Sequence, residues 1–310
     1  MDTDIMWDLS ASLSVSRFIV GILFLFVASV MDLRTRRIPN KLWMIMSGFA
    51  AALLFIQLFT KGVRWEFYLI FVPISVLLAE AFVDRPPIFK DGSINFIMIP
   101  YIVVPITTVA FQIYILKERL FFWSMMTIPI IMLVVFILYF FYIIYGGADA
   151  KALIVIALLV PLYPHVPYLT HMAGSELLLE LMQIFFPFTL VVMLNASMLS
   201  LSLPISYIIK NILRKDIKFP EMVFGYRKNV DEIEDSFVWP MEYYQEGEHM
   251  VERLSLRPKV DPEEAIQSLK DNDVEIAWVK PKIPFIVFIF LGFVLSFIIG
   301  NPMIYIVKLF

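Results

Sequence analysis

The chain has 310 residues, of which 60% are hydrophobic and 17% charged, with a formal net charge of -3 and a mean hydropathy of +0.81. A water-soluble domain is nearer about 45–50% apolar and about 25% charged, so this much apolar surface needs lipid to cover it. The charge balance gives no basis for nucleic-acid binding, and the absence of cysteine excludes disulfides, zinc–thiolate sites and a cysteine nucleophile.

The acidic start, MDTDIMWD, lacks the basic region of a cleavable signal peptide, so the first apolar segment is expected to be a retained anchor. Eight apolar stretches approach the length that crosses about 30 Å of hydrocarbon: residues 14–32, 41–60, 66–83, 94–116, 120–145, 149–164, 176–210 and 283–309. The third and sixth are the shortest, and Pro187 and Pro204 are placed to kink or end the seventh. The runs are continuous rather than alternating, which argues for helices. The expected fold is an all-α polytopic membrane protein with about eight transmembrane helices (six to eight). A small cytoplasmic domain precedes the last helix. Trp65, Trp123 and Trp278 lie near span ends and suit an interfacial aromatic belt.

Residues 211–282 differ in kind, being charged and carrying Pro220, Pro240, Pro258 and Pro262. The expected division is a bundle over 1–210, a water-exposed domain over 211–282 and a final helix over 283–310. Within the polar domain, DPEEAIQSLK predicts a helix with Asp261 as N-cap, Pro262 in the first position, and Glu263 and Glu264 in the first turn. Between Asp231 and Glu252 there are eight acids and no Lys or Arg: Asp231, Glu232, Glu234, Asp235, Glu242, Glu246, Glu248 and Glu252. Such a run is either a solvated face or a field that attracts a basic ligand.

Lys and Arg in the short loops set the orientation. Arg34, Arg36, Arg37 and Lys41 mark one loop as cytoplasmic, and alternation then places Arg85, Lys90, Lys151 and the Lys210–Lys218 cluster on the same side. Arg17, Lys61, Arg64, Lys117, Arg119 and Lys308 fall on the other, which favours both termini outside.

Two acids carry the chemistry. Asp32 ends the first span in ASVMDLRTRRIPN, where a carboxylate is costly unless paired, hydrated or functional. Pairing with Arg34 or Arg36 is the plain alternative. Asp149 sits in FYIIYGGADAKALIVIALLV beside Gly146 and Gly147, which allow close helix packing or close backbone approach. Its plain alternative is a helix-terminal acid neutralised by Lys151. An even number of segments separates the two acids, so both lie at one membrane face. Two carboxylates sharing a site do not both ionise cheaply, so one keeps a proton. The ionised one draws a proton from water, and the protonated one donates to a carbonyl oxygen. That amounts to amide hydrolysis with no cofactor or metal.

Other chemistries fit less well. His165 and His171 fall on the opposite face and His249 in the polar domain; no H-E-x-x-H, G-x-S-x-G, P-loop or G-x-G-x-x-G is present. An ion-coupled transporter using Asp32 and Asp149 as a proton relay is the alternative. It usually shows pseudo-symmetric halves and broken helices near mid-membrane; there is neither symmetry nor an acid at mid-span here, since both acids lie at span ends.

Asp32 followed by RTRRIPNK resembles the D-x6-P-N region of type IV prepilin peptidases and archaeal preflagellin (archaellin) peptidases. Gly146-Gly147-Ala148-Asp149 resembles the motif of the GxGD-type intramembrane aspartic peptidases, with Ala148 replacing the motif's second glycine. The segment WVKPKIPFIVFIFLGFVLSFIIGNP resembles the C-terminal part of the archaeal branch. The resemblance implies an intramembrane aspartic endopeptidase of the cell membrane with Asp32 and Asp149 as catalytic pair. Gly146, Gly147 and Ala148 would lie along the substrate approach. It implies prearchaellin or prepilin-like substrates with short, basic class III-type leaders, cleaved at the cytoplasmic face. The acidic run is then a candidate leader-binding surface. The absence of Cys argues against the methyltransferase activity of bacterial members. Archaeal members usually have six spans, so an extra pair is expected between about 60 and 140.

Overall fold

The computed structural model describes residues 3–83, 89–90, 93–94, 99–164, 176–245, 247–251 and 260–303, excluding the side chains of 3–9, 89–90, 93–94 and 176–180. Arg85, His165, His171, Glu246, Glu252, Pro258 and Lys308, and the side chain of Lys90, lie outside it. The chain forms two compact units, Met1–Ser197 with Phe285–Phe310, and Met198–Pro284.

The first unit is helical. It contains α1 (Thr3–Thr35), α2 (Asn40–Thr60), α3 (Phe71–Phe82) after a 3-10 turn at Trp65–Ile70, α4 (Ile99–Leu116), α5 (Leu120–Phe140), α6 (Gly147–Leu159), α7 (Glu176–Phe185) and α8 (Phe188–Ser200). A two-residue hairpin, β1 (Phe89–Lys90) and β2 (Ser93–Ile94), precedes α4. In the second unit, α9 (Ser202–Arg214) and α10 (Glu221–Phe224) lead into β3 (Tyr226–Asn229), β4 (Val238–Pro240), β5 (Glu242–Gln245), β6 (Glu248–Val251), α11 (Pro262–Asp271) and β7 (Ile276–Pro281). The chain then returns to the first unit as α12 (Phe285–Ile298).

Among the described residues six helical segments are long and apolar enough to cross a membrane: Ser10–Thr35, Asn40–Thr60, Trp65–Phe82, Ile99–Leu116, Leu120–Phe140 and Phe188–Arg214. This is a polytopic membrane protein. The expected sixth and eighth spans are shorter, at 13 residues for α6 and 14 for α12. The expected seventh stretch is not one helix. It breaks at Pro187, whose ring denies a backbone donor, and is interrupted for the single residue Leu201, which keeps helical φ and ψ. Pro204 falls in the first turn of α9, where a missing N–H costs little.

The reason α6 is short is visible in its burial. Ala150 and every residue from Ala152 to Leu159 are buried, so protein rather than lipid covers all its faces. It packs against α2, α5, α12 and α1. A helix apolar on every side belongs in a core, and this one is the core of the bundle. Around it, α12 lies along α1, with the Phe293 ring where any side chain at Gly21 would have to go. At Gly292, α12 meets the α8 backbone; a Cβ there would sit 2.7 Å from the Ala196 nitrogen. Asn195 of α8 donates to the Ser296 hydroxyl at 2.8 Å. Small residues that admit a neighbouring backbone, with a polar pair alongside, are how helices associate in lipid.

The second unit has a three-stranded antiparallel sheet in the order β3-β7-β4 and a separate β5–β6 hairpin. Val230, Ile233, Val238, Ile266, Leu269, Ala277 and Val279 form its core. The α11 start is as expected: Asp261 accepts the Glu263 N–H at 3.0 Å and Pro262 opens the helix. One expectation is corrected. Trp278 is not an interfacial anchor; it is buried in β7 beside Met222 and Met241.

Candidate active site

Asp32 lies in the last turn of α1, with its carboxylate close to the backbone N–H of Ile286 in the first turn of α12. Helix N-termini carry unpaired N–H groups and partial positive charge, so an acid is well placed there. Arg36 is near enough to act on Asp32 through space. It sits in the turn after α1 with φ 54, and its N–H reaches the Asp32 carbonyl at 3.2 Å. The basic loop therefore folds back toward the acid instead of extending from it.

Asp149 occupies the third position of α6, after Gly146 as N-cap. Its carboxylate turns back over that cap. A Cβ at Gly146 would collide with it, lying 2.8 Å from the carboxylate carbon. The glycine is thus required by the acid's own side chain. Gly147 has a looser setting, where a Cβ would come within 3.4 Å of the Tyr139 hydroxyl. Ala148 packs against the bundle core.

The fold sets the two acids within electrostatic range of each other. Both side chains are half-buried, at the end of α1 and the start of α6, which are packed helices. The Lys151 ammonium donates to Asn40 Oδ1 at 2.7 Å, and Asn40 Nδ2 donates to the Phe82 carbonyl at 3.2 Å. Asn40 opens α2, so a single amide ties together the starts of α2 and α6 and the end of α3. The sequence reading quoted the Pro39-Asn40 pair without assigning Asn40 a role. The signal that could have found it is its position, one residue inside a helix start in the loop that follows an intramembrane acid.

The acidic run behaves differently from its sequence appearance. Glu232 pairs with Lys228 at 3.6 Å, Glu234 with Lys270 at 2.8 Å, and buried Glu242 with His249 at 3.1 Å. Glu234 holds the Lys270 ammonium above its ordinary range. The bases absent from the run arrive from neighbouring strand and helix. Asp235 and Glu248 stay exposed with no ion-pair partner among the described residues, and Asp231 is exposed within reach of Lys270. Among the described residues no group of His, Asp and Glu is arranged to hold a metal.

Two family models match the chain. One is described as the type IV leader peptidase family and matches residues 19–92. The other is described as archaeal peptidase A24 C-terminus type II and matches residues 217–301. Asp32 and Asn40 fall in the first match, and Asp149 and Lys151 lie between the two. A preflagellin peptidase of Methanocaldococcus jannaschii is 30% identical over 167 residues, which is 51% of this chain. The chain spans 64% of that relative's length.

Proposed function

We propose that this chain belongs to the type IV leader peptidase family and is an intramembrane aspartic endopeptidase with Asp32 and Asp149 as its catalytic pair. The observation that carries the reading is that two carboxylates from distant points of the chain lie at helix ends within electrostatic range of each other. In the reaction, one carboxylate is ionised and takes a proton from a water whose oxygen attacks the scissile carbonyl carbon. The other is protonated and donates to the carbonyl oxygen. The resulting diol collapses as the carbon–nitrogen bond breaks, and the proton held by the pair passes to the leaving amine. The dyad titrates as one unit.

The substrates are prearchaellins or archaeal pilin-like preproteins, cut after a short basic leader at the cytoplasmic face of the cell membrane. The exposed acids Asp231, Asp235 and Glu248, together with Glu246 and Glu252, attract the leader. Glu232 and Glu234 contribute less, since Lys228 and Lys270 balance their charge, and Glu242 contributes less because it is buried. Gly146 keeps the space that the Asp149 carboxylate occupies.

The test is incubation of the purified protein with synthetic prearchaellin and prepilin peptides, with cleavage read by mass spectrometry. One cut between the basic leader and the hydrophobic helix is expected. An intact peptide at high enzyme concentration would remove the peptidase reading.

A further inference from the structure

The α9 helix is amphipathic. Tyr207, Ile208 and Asn211 face its own unit, and Asn211 donates to the carbonyls of Met222 and Gly225 at 3.0 and 2.7 Å. Ile205, Ile209, Ile212 and Leu213 form an exposed apolar stripe. The following loop continues it: Leu213, Ile217 and Phe219 are 79%, 70% and 80% exposed. Cations punctuate the stripe. Lys210 lies over the Tyr226 ring and Lys218 pairs with Glu221, whereas Arg214 and Lys215 are exposed with no acidic partner among the described residues.

We infer that the apolar stripe of α9 and the Ile217–Phe219 loop insert into the headgroup region of an anionic lipid leaflet, docking the second unit on the membrane. Large apolar side chains interleaved with free cations are the composition of an interfacial segment, and anionic lipid supplies the matching charge. Residues 188–214 make a segment about 40 Å long against about 30 Å of hydrocarbon, so the end of α9 and the loop after it extend past the hydrocarbon core. A second copy of the chain would present the same two unpaired cations to this face. The inference does not depend on the catalytic reading.

The chain has no cysteine, so nitroxide labels can be placed singly through Leu213→Cys and Phe219→Cys in the full-length protein. The protein is reconstituted in nanodiscs of phosphatidylcholine alone or mixed with phosphatidylglycerol. The expected result is that both labels relax with oxygen more than with a water-soluble nickel complex in the anionic discs. That preference should fall at least several-fold in the zwitterionic discs, or when Arg214→Ser and Lys215→Ser are added. Free access of nickel in both lipids would overturn the inference. So would equal burial in both, which indicates a spanning segment, or protection from oxygen and nickel together with dipolar broadening, which indicates a second copy.

Discussion

Two helices of the same length, α6 and α9, have opposite relations to their surroundings. Both have 13 residues. In α6 nearly every side chain is buried by protein, and Asp149 stands at its start. In α9 one face packs on its own unit while the other presents isoleucines and a leucine to the outside. In a membrane protein apolar content alone does not separate these cases, because lipid accepts apolar groups as readily as a core does. The distribution around the axis does. A helix without polar face or lipid stripe is enclosed, and a polar group at its end is then held by protein. The acid on α6 is therefore positioned by packing on all sides.

That contrast can be broken by substitution, beginning with stability. Leu158→Ala, in the enclosed helix, should cost about 2–5 kcal/mol by leaving a cavity the bundle cannot fill, measured by unfolding in mixed micelles. Gly146→Val should lower kcat about 10²-fold, since it displaces the Asp149 carboxylate by more than a bond length; membrane expression should stay near normal. Gly147→Val should cost less, because only the Tyr139 hydroxyl has to move. Loss of expression in step with activity would make both glycines packing residues only.

A tenfold loss is the expected scale for Asn40→Ala, mainly in kcat, with recovery in Asn40→Asp, which retains an acceptor for Lys151. A rise in KM alone would place Asn40 in substrate contact instead. Neutralising Asp235 and Glu248 should raise KM a few-fold at low salt and have little effect at high salt, because exposed charges are screened within about 8–10 Å. The smallest effect belongs to α9: Ile209→Ala should change unfolding stability by less than about 0.5 kcal/mol. A large loss there would mean that its outer face is packed against protein.

Much of this was legible in the sequence. The helical bundle follows from continuous apolar runs, and the start of α11 follows from Asp261 and Pro262, because both signals are local. The two acids were singled out by the cost of a carboxylate beside lipid, and the fold brings them within reach of each other. What escaped was contact between distant residues. Nothing local to Asn40 says that it holds Lys151, 111 positions away. The acidic run appeared uniform because Lys228 and Lys270 approach it only through the fold. Trp278 near an apolar stretch resembled an interfacial anchor, yet it is a strand residue facing a core. The single long stretch at 176–210 held two interruptions, one announced by Pro187 and one, at Leu201, by Pro204, which removes the donor to the Ser200 carbonyl.

The central claim is that Asp32 and Asp149 act as one catalytic unit, and single substitutions test it most directly. Asp32→Asn and Asp149→Asn are each isosteric and supply a donor but no titratable base. Each purified variant, incubated with a leader-bearing prearchaellin peptide, should cleave at least about 10²–10⁴-fold more slowly than the parent, the usual contribution of a positioned acid or base. The double variant should be scarcely slower than either single one, because removing either member disables the pair. Both single variants should keep the parent's thermal unfolding within a few degrees. Turnover near the parent rate by either single variant would contradict the account.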